Sequence, residues 1–139
     1  MVIISVDLGD ARTGTAVCDA GEILASPIGT IFERNFDIVA DKLCALATER
    51  RAEMFVVGLP LNMDGSRGER AQKCVEFANM LREKSGLPVE LTDERLTTVQ
   101  AHNALNFTNT RGKKRHDTVD TVAAVMILEN FLAKRKSGK

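Results

Sequence analysis

The stretch Val2-Ile-Ile-Ser-Val-Asp7-Leu-Gly9-Asp-Ala-Arg12-Thr-Gly14-Thr-Ala-Val-Cys18 decides how the rest of the chain is read. Residues 2–7 are nearly continuous in β-branched and apolar side chains, the pattern of a strand buried on both faces. Gly9 and Gly14 bracket a turn, and residues 15–18 return as the second strand of a hairpin. Asp7 therefore stands where an apolar strand meets a polar turn. Two other acidic positions repeat that setting. The pair Asp93-Glu94 follows Pro88-Val-Glu-Leu-Thr92, and Asp120 lies in Asp117-Thr-Val-Asp120-Thr-Val-Ala-Ala124 at the start of an apolar helix. A carboxylate beside a core is costly unless it is paired. Hard divalent cations, which prefer oxygen ligands, are natural partners. Three acids from three elements around such ions suit phosphodiester chemistry.

Outward from the hairpin, residues 19–21 read as a turn and 22–26 as a third strand. A helix is predicted over roughly 36–50, with Phe36, Ala40, Leu43 and Ala47 on one face. Residues 53–58 form a short buried strand ended by Gly58-Leu-Pro60, and 61–68 a loop. Ser66 is the expected cap of the next helix, whose apolar stripe is Ala71, Cys74, Val75, Ala78 and Leu81. Gly86 and Pro88 stop it, and residues 89–92 read as a strand. Thr97 or Thr98 would cap a helix to about 106, residues 107–115 read as a polar loop, and a last helix runs from about 117 to 134. Five strands and four helices in this order predict an α/β fold, a mixed five-stranded sheet flanked by helices. Sites in such sheets gather at the carboxyl ends of the strands, where Asp7 and Asp93-Glu94 both fall. Without a repeat or a linker, residues 1–139 read as one domain.

Net charge is zero but unevenly spread: residues 1–110 hold eleven basic against sixteen acidic side chains, and 111–139 hold eight against three. The basic end, 134–139, reads as a flexible, solubilising terminus. The cluster Arg111, Lys113, Lys114 and Arg115 just ahead of Asp120 instead points to an anionic substrate. Six Phe with no Trp or Tyr offer few platforms for stacking bases, so nucleic-acid binding would rest on phosphate contacts. Cys18, Cys44 and Cys74 are scattered and only two histidines are present, which argues against a zinc site and for a reducing cytoplasm. No leader pattern precedes the first strand, and the longest apolar run, 122–128, is far too short to span a membrane. The chain reads as soluble and cytoplasmic.

Four motifs in order resemble the YqgF/RuvX family, known as Holliday junction resolvases and as pre-16S rRNA nucleases, with a ribonuclease-H-like fold. They are Asp7-Leu-Gly-Asp-Ala-Arg-Thr-Gly14, Val57-Gly-Leu-Pro-Leu-Asn-Met-Asp-Gly65, Asp93-Glu-Arg-Leu-Thr-Thr98, and Val119-Asp120 with Ala123-Ala124 and Ile127-Leu128. The resemblance implies catalytic, metal-binding roles for Asp7, Glu94 and Asp120, with two Mg²⁺ or Mn²⁺ ions. Glu94 is preferred to Asp93 by the family pattern, and neighbouring strand residues point to opposite faces, so only one of the pair should reach the site. The resemblance also implies phosphate contacts from Arg12, whose competing role is an ion pair with Asp10 or Asp93. Thr97 and Thr98 would bind phosphate or cap a helix, and Lys113, Lys114 and Arg115 would contact nucleic acid. Asp117 is either a fourth ligand or, preferably, an N-cap. His116 reads as an exposed loop residue.

The implied role is 5′-end processing of pre-16S rRNA on ribosomal precursor particles. The alternative is resolution of branched DNA, which would suit a homodimer where the first reading allows a monomer. Two further classes compete. A sugar-kinase-like phosphotransferase shares the Asp-x-Gly motif but needs two such domains. A non-catalytic nucleic-acid or ribosome-binding factor would keep the fold and work through its basic loop.

Overall fold

A central strand rich in β-branched residues organises the sheet. The computed structural model describes residues 1–61, 64–93 and 112–137, the side chains of 112–120 and 137 excepted. Strand β1 (Ile3–Asp7) is flanked by β2 (Arg12–Cys18) on one side and β4 (Met54–Leu59) on the other. Strands β3 (Ala25–Phe32) and β5 (Val89–Asp93) form the two edges, in the order β3-β2-β1-β4-β5. The β1–β2 and β2–β3 pairings are antiparallel, whereas β1–β4 and β4–β5 are parallel. This is the expected mixed α/β sheet with helices on its faces.

Strand alternation separates two cores. Ile4, Val6, Phe55 and Val57 pack against α1 (Phe36–Arg50) and α2 (Glu69–Ser85), through Val39, Leu43, Cys74, Phe77 and Leu81 among others. Ile3, Ala16, Cys18, Met54 and Val56 face the other way, against Ala124, Ile127, Leu128 and Leu132 of α3 (Gly112–Ser137). The central strands are thus buried on both sides, which is why their sequences read as continuous apolar runs. Among the described residues no helix is long and apolar enough to cross a membrane.

Helix α1 begins where Asn35 accepts a hydrogen bond from Asp37 N at 2.9 Å and ends at Arg51 in the left-handed region. Helix α2 ends at Gly86, also left-handed at φ 71°, but its start differs from expectation. Its N-cap is Gly68, with no side-chain bond. Ser66 instead donates both its N–H and its hydroxyl to Asp64 Oδ1, at 2.9 and 2.6 Å, and so closes the preceding turn.

Other boundaries differ from the sequence expectation: β2 begins at Arg12 and not at residue 15, so Gly14 pairs with Asp7 inside the hairpin and does not bound its turn. The third strand does not occupy 22–26. Asp19 Oδ1 accepts from Ile23 N and Leu24 N at 2.7 and 2.9 Å, and Glu22 takes φ 57°, so the turn continues through Leu24. The strand then runs to Phe32 and tolerates Pro27 because it lies at the sheet edge. Helix α3 begins at Gly112, not near 117, so Lys113, Lys114 and Arg115 are helical and Asp117 is an interior residue and not the N-cap. At the other end α3 continues through Ser137, and Arg135 lies over the Phe131 ring at 5.6 Å. The helix expected over 97/98–106 falls outside the described residues.

Candidate active site

Alternation along β1 puts Ile3, Ser5 and Asp7 on the face that meets α3. Asp7 is half-buried at the carboxyl end of the strand. Below it, fully buried Ser5 donates its hydroxyl to Ala124 O at 2.6 Å and ties β1 to α3. Farther down, Leu132 packs in the same core as Ile3 and Cys18, and Arg135 bonds Glu22 beside the chain's amino terminus. Helix α3 therefore runs antiparallel to β1, and moving toward its N-terminus climbs toward Asp7. From Ala124 back to position 120 is about 6 Å along the helix axis, and from Ser5 up to Asp7 is about 6.6 Å along the strand. The backbone at Asp120 is accordingly level with Asp7 and on the same side of the sheet. Its side chain lies outside the described residues.

Strand β5 reports on the acidic pair. Val89 and Leu91 pack in the α1/α2 core, so Asp93, next in that alternation, belongs to the α1/α2 face. Glu90 and Thr92 belong to the α3 face. Gly58 pairs with Thr92, and one step beyond the Val6–Val57 pair brings Asp7 beside Gly58. Asp7 and Thr92 thus flank a residue without a side chain, about 10 Å apart across two strand spacings. Asp93, half-buried, sits on the opposite face from Asp7. Glu94, Thr97 and Thr98 lie outside the described residues. Lys113, Lys114, Arg115, His116 and Asp117 are described only as backbone of the first turns of α3.

The loop after Asp7 is tightly built. A Cβ on Gly9 would stand 2.1 Å from Arg12 O, so only glycine fits there. Arg70, in the first turn of α2, donates Nη2 to Leu8 O at 2.9 Å and reaches Asp10 Oδ2 at 3.8 Å. From the β3–α1 link, Glu33 N donates to Ala11 O at 3.1 Å. These contacts enclose an open cleft of about 490 Å³ lined by Gly9, Asp10, Ala11, Arg12, Arg34 and Arg70. Arg12 was legible in its motif. Arg34 and Arg70 carried no sequence signal, since the cleft joins segments far apart in the chain.

Among the described residues, no group of three or more His, Cys, Asp or Glu is gathered as a metal site. The expected ligands Asp7, Glu94 and Asp120 would offer only carboxylate oxygens, a donor set that fits Mg²⁺ or Mn²⁺ and not a soft metal. A perturbed ion pair lies at the opposite end of α3. Glu22 accepts from Arg135 Nε at 2.9 Å and from the terminal ammonium at 3.0 Å. Arg135 first, then the ammonium, holds the Glu22 carboxyl below its usual range, while the same bond raises Arg135.

A sequence profile for the family described as RuvX, Holliday junction resolvase, matches residues 1–134. A relative from Clostridium novyi (strain NT) is 36% identical over 132 residues, covering 95% of this chain and 98% of its own. One from Cereibacter sphaeroides (strain ATCC 17029) is 44% identical over 130 residues, covering 94% and 81%. Both carry the name "Putative pre-16S rRNA nuclease". Among solved structures, Thermus thermophilus RuvC in complex with a Holliday junction substrate aligns with a TM-score of 0.60 at 14% identity, over 97% of this chain and 96% of that one. The fowlpox virus Holliday junction resolvase gives 0.56 at 13% identity, over 96% and 99%. At such identities the likeness concerns the fold, the ribonuclease-H-like sheet that the motifs led us to expect.

Proposed function

This chain belongs to the RuvX family of nucleases, and from that membership we propose that it is a metal-dependent phosphodiesterase that processes the 5′ end of pre-16S rRNA in the cytoplasm. The observation that carries the reading is the Ser5–Ala124 bond between β1 and α3, from which helix and strand rise bring the Asp120 backbone level with Asp7. Glu94, two residues beyond Thr92, would continue the same face by strand alternation. Asp93, on the other face, is the weaker candidate. Asp117, three residues before Asp120 and inside the helix, has the spacing of a fourth carboxylate but is not needed for the triad.

Asp7, Glu94 and Asp120 would hold two Mg²⁺ or Mn²⁺ ions, which when bound supply an activated water and charge stabilisation for the leaving oxygen. The chain's own work is positioning. The hydrogen bond from Ser5 to Ala124 O keeps β1 and α3 in register beneath the acids. Arg12 binds a phosphate beside the site through its planar fork of donors. Thr97 and Thr98 add hydroxyl donors after Glu94, and Lys113, Lys114 and Arg115 supply positive charge on the α3 side. Positioning and charge are most of what phosphoryl transfer asks of a protein.

The choice of rRNA rests on relatives of 36% and 44% identity that bear that name. The protein is to be incubated with Mn²⁺ or Mg²⁺ on a labelled pre-16S 5′ leader, a linear single-stranded RNA and a four-way DNA junction. Asp7→Asn runs beside each as the control. Cutting of the leader, lost in Asp7→Asn, is the expected result. Cutting of the junction alone would make it a resolvase, and binding without cutting a non-catalytic factor.

A further inference from the structure

We infer that the cleft formed by the 9–12 loop, Arg34 and Arg70 is a second phosphate site, which grips a non-scissile phosphodiester of the bound strand without reading its bases. The inference rests on the nuclease reading above and extends it. Three arginines from separate segments line one cavity of about 490 Å³: Arg12 at the start of β2, Arg34 before α1, and Arg70 in the first turn of α2. A guanidinium stays charged at any physiological pH and presents five donors. Among the described residues that line the cleft, Asp10, 3.8 Å from Arg70, is the one acid against three arginines. Arg70 gives one N–H to Leu8 O, yet its side chain remains 53% exposed. Donors are therefore left for a ligand.

The cleft is also stiff. Gly9 packs against the Arg12 carbonyl, and both flanking elements bond the loop through Leu8 O and Ala11 O. Among the described residues no aromatic side chain lines it, so a base has nothing to stack on, and the fitting ligand is backbone phosphate. The cleft begins two residues after Asp7, so a strand occupying it would pass the proposed acids.

The test is fluorescence anisotropy in EDTA, which leaves binding without cleavage, on a short single-stranded RNA and a four-way DNA junction. Salt is varied from about 50 to 200 mM. The parent is compared with Arg34→Gln and with Arg34→Gln/Arg70→Gln. The double variant should bind both probes roughly tenfold more weakly. Its log–log salt slope should be shallower by about 0.7 to 0.9 per arginine removed. Because Arg70 also braces the loop, Arg34→Gln alone decides the matter if the double variant loses its cooperative melt. Unchanged slopes and affinities, or a parent that binds neither probe, would overturn the inference. Cleavage by the parent in Mn²⁺ is read separately. A parent that cuts while the variants bind normally loses the cleft and keeps the nuclease; a parent that never cuts while the variants lose slope keeps the cleft and loses the catalytic reading.

Discussion

Gly9 is the residue at which the first motif tolerates least. Its missing Cβ lets the chain turn back on the Arg12 carbonyl, at a distance no real side chain could accept. Gly9→Ala must therefore shift backbone, either Asp7's side of the loop or Arg12's. We expect a loss of about 1 to 3 kcal/mol in urea unfolding together with a clear fall in cleavage rate. A Gly9→Ala protein as stable and as active as the parent would show that the loop is not built this tightly. The residue scale also separates Asp93 from its neighbour. The two adjoin in sequence, but Asp93 follows Val89 and Leu91 onto the α1/α2 face, away from Asp7.

At the scale of elements, α3 is fastened at both ends of its contact with the sheet. Near the proposed acids Ser5 bonds Ala124 O, and at the far end Arg135 joins Glu22 and the terminal ammonium. The carboxyl of Glu22 is held below its ordinary value of 4.5, chiefly by the hydrogen bond from Arg135. A depressed carboxyl contributes stability above its unfolded pKa and loses it as pH falls through the folded value. Glu22→Gln should thus lower stability near neutral pH by at most about 1 kcal/mol, since the pair is partly solvated. The gap between variant and parent should narrow as pH falls below 4.5 and close beneath the lowered folded value in thermal melts. A gap that persisted in acid would mean that Glu22 acts by packing and not by charge.

The elements also show what a one-dimensional reading can reach. Strands β1, β4 and β5 and helices α1 and α2 were legible because their apolar periods and glycine stops act locally. Strand β3 was not, because the Asp19 carboxylate extends the turn through side-chain bonds and an edge position excuses Pro27. The start of α3 was hidden by a glycine and a basic run that resemble a loop.

In the whole molecule, five strands bring the ends of β1 and β5, the start of β2, the end of β3 and the start of α2 to one edge. The proposed acids stand out in sequence because each ends or begins an apolar element. The arginine cleft was not, because Arg12, Arg34 and Arg70 meet only once the sheet is assembled. The proposed activity implies one asymmetry: acids assigned to the α3 face would do the chemistry, and acids elsewhere would not. The most direct test is Mn²⁺-dependent cleavage of the pre-16S leader by single variants. Asp7→Asn, Glu94→Gln and Asp120→Asn should each fall at least about a hundredfold. Asp93→Asn and Asp117→Asn should stay within about tenfold of the parent. Full activity in Asp7→Asn, or an Asp93→Asn protein as dead as Glu94→Gln, would contradict it.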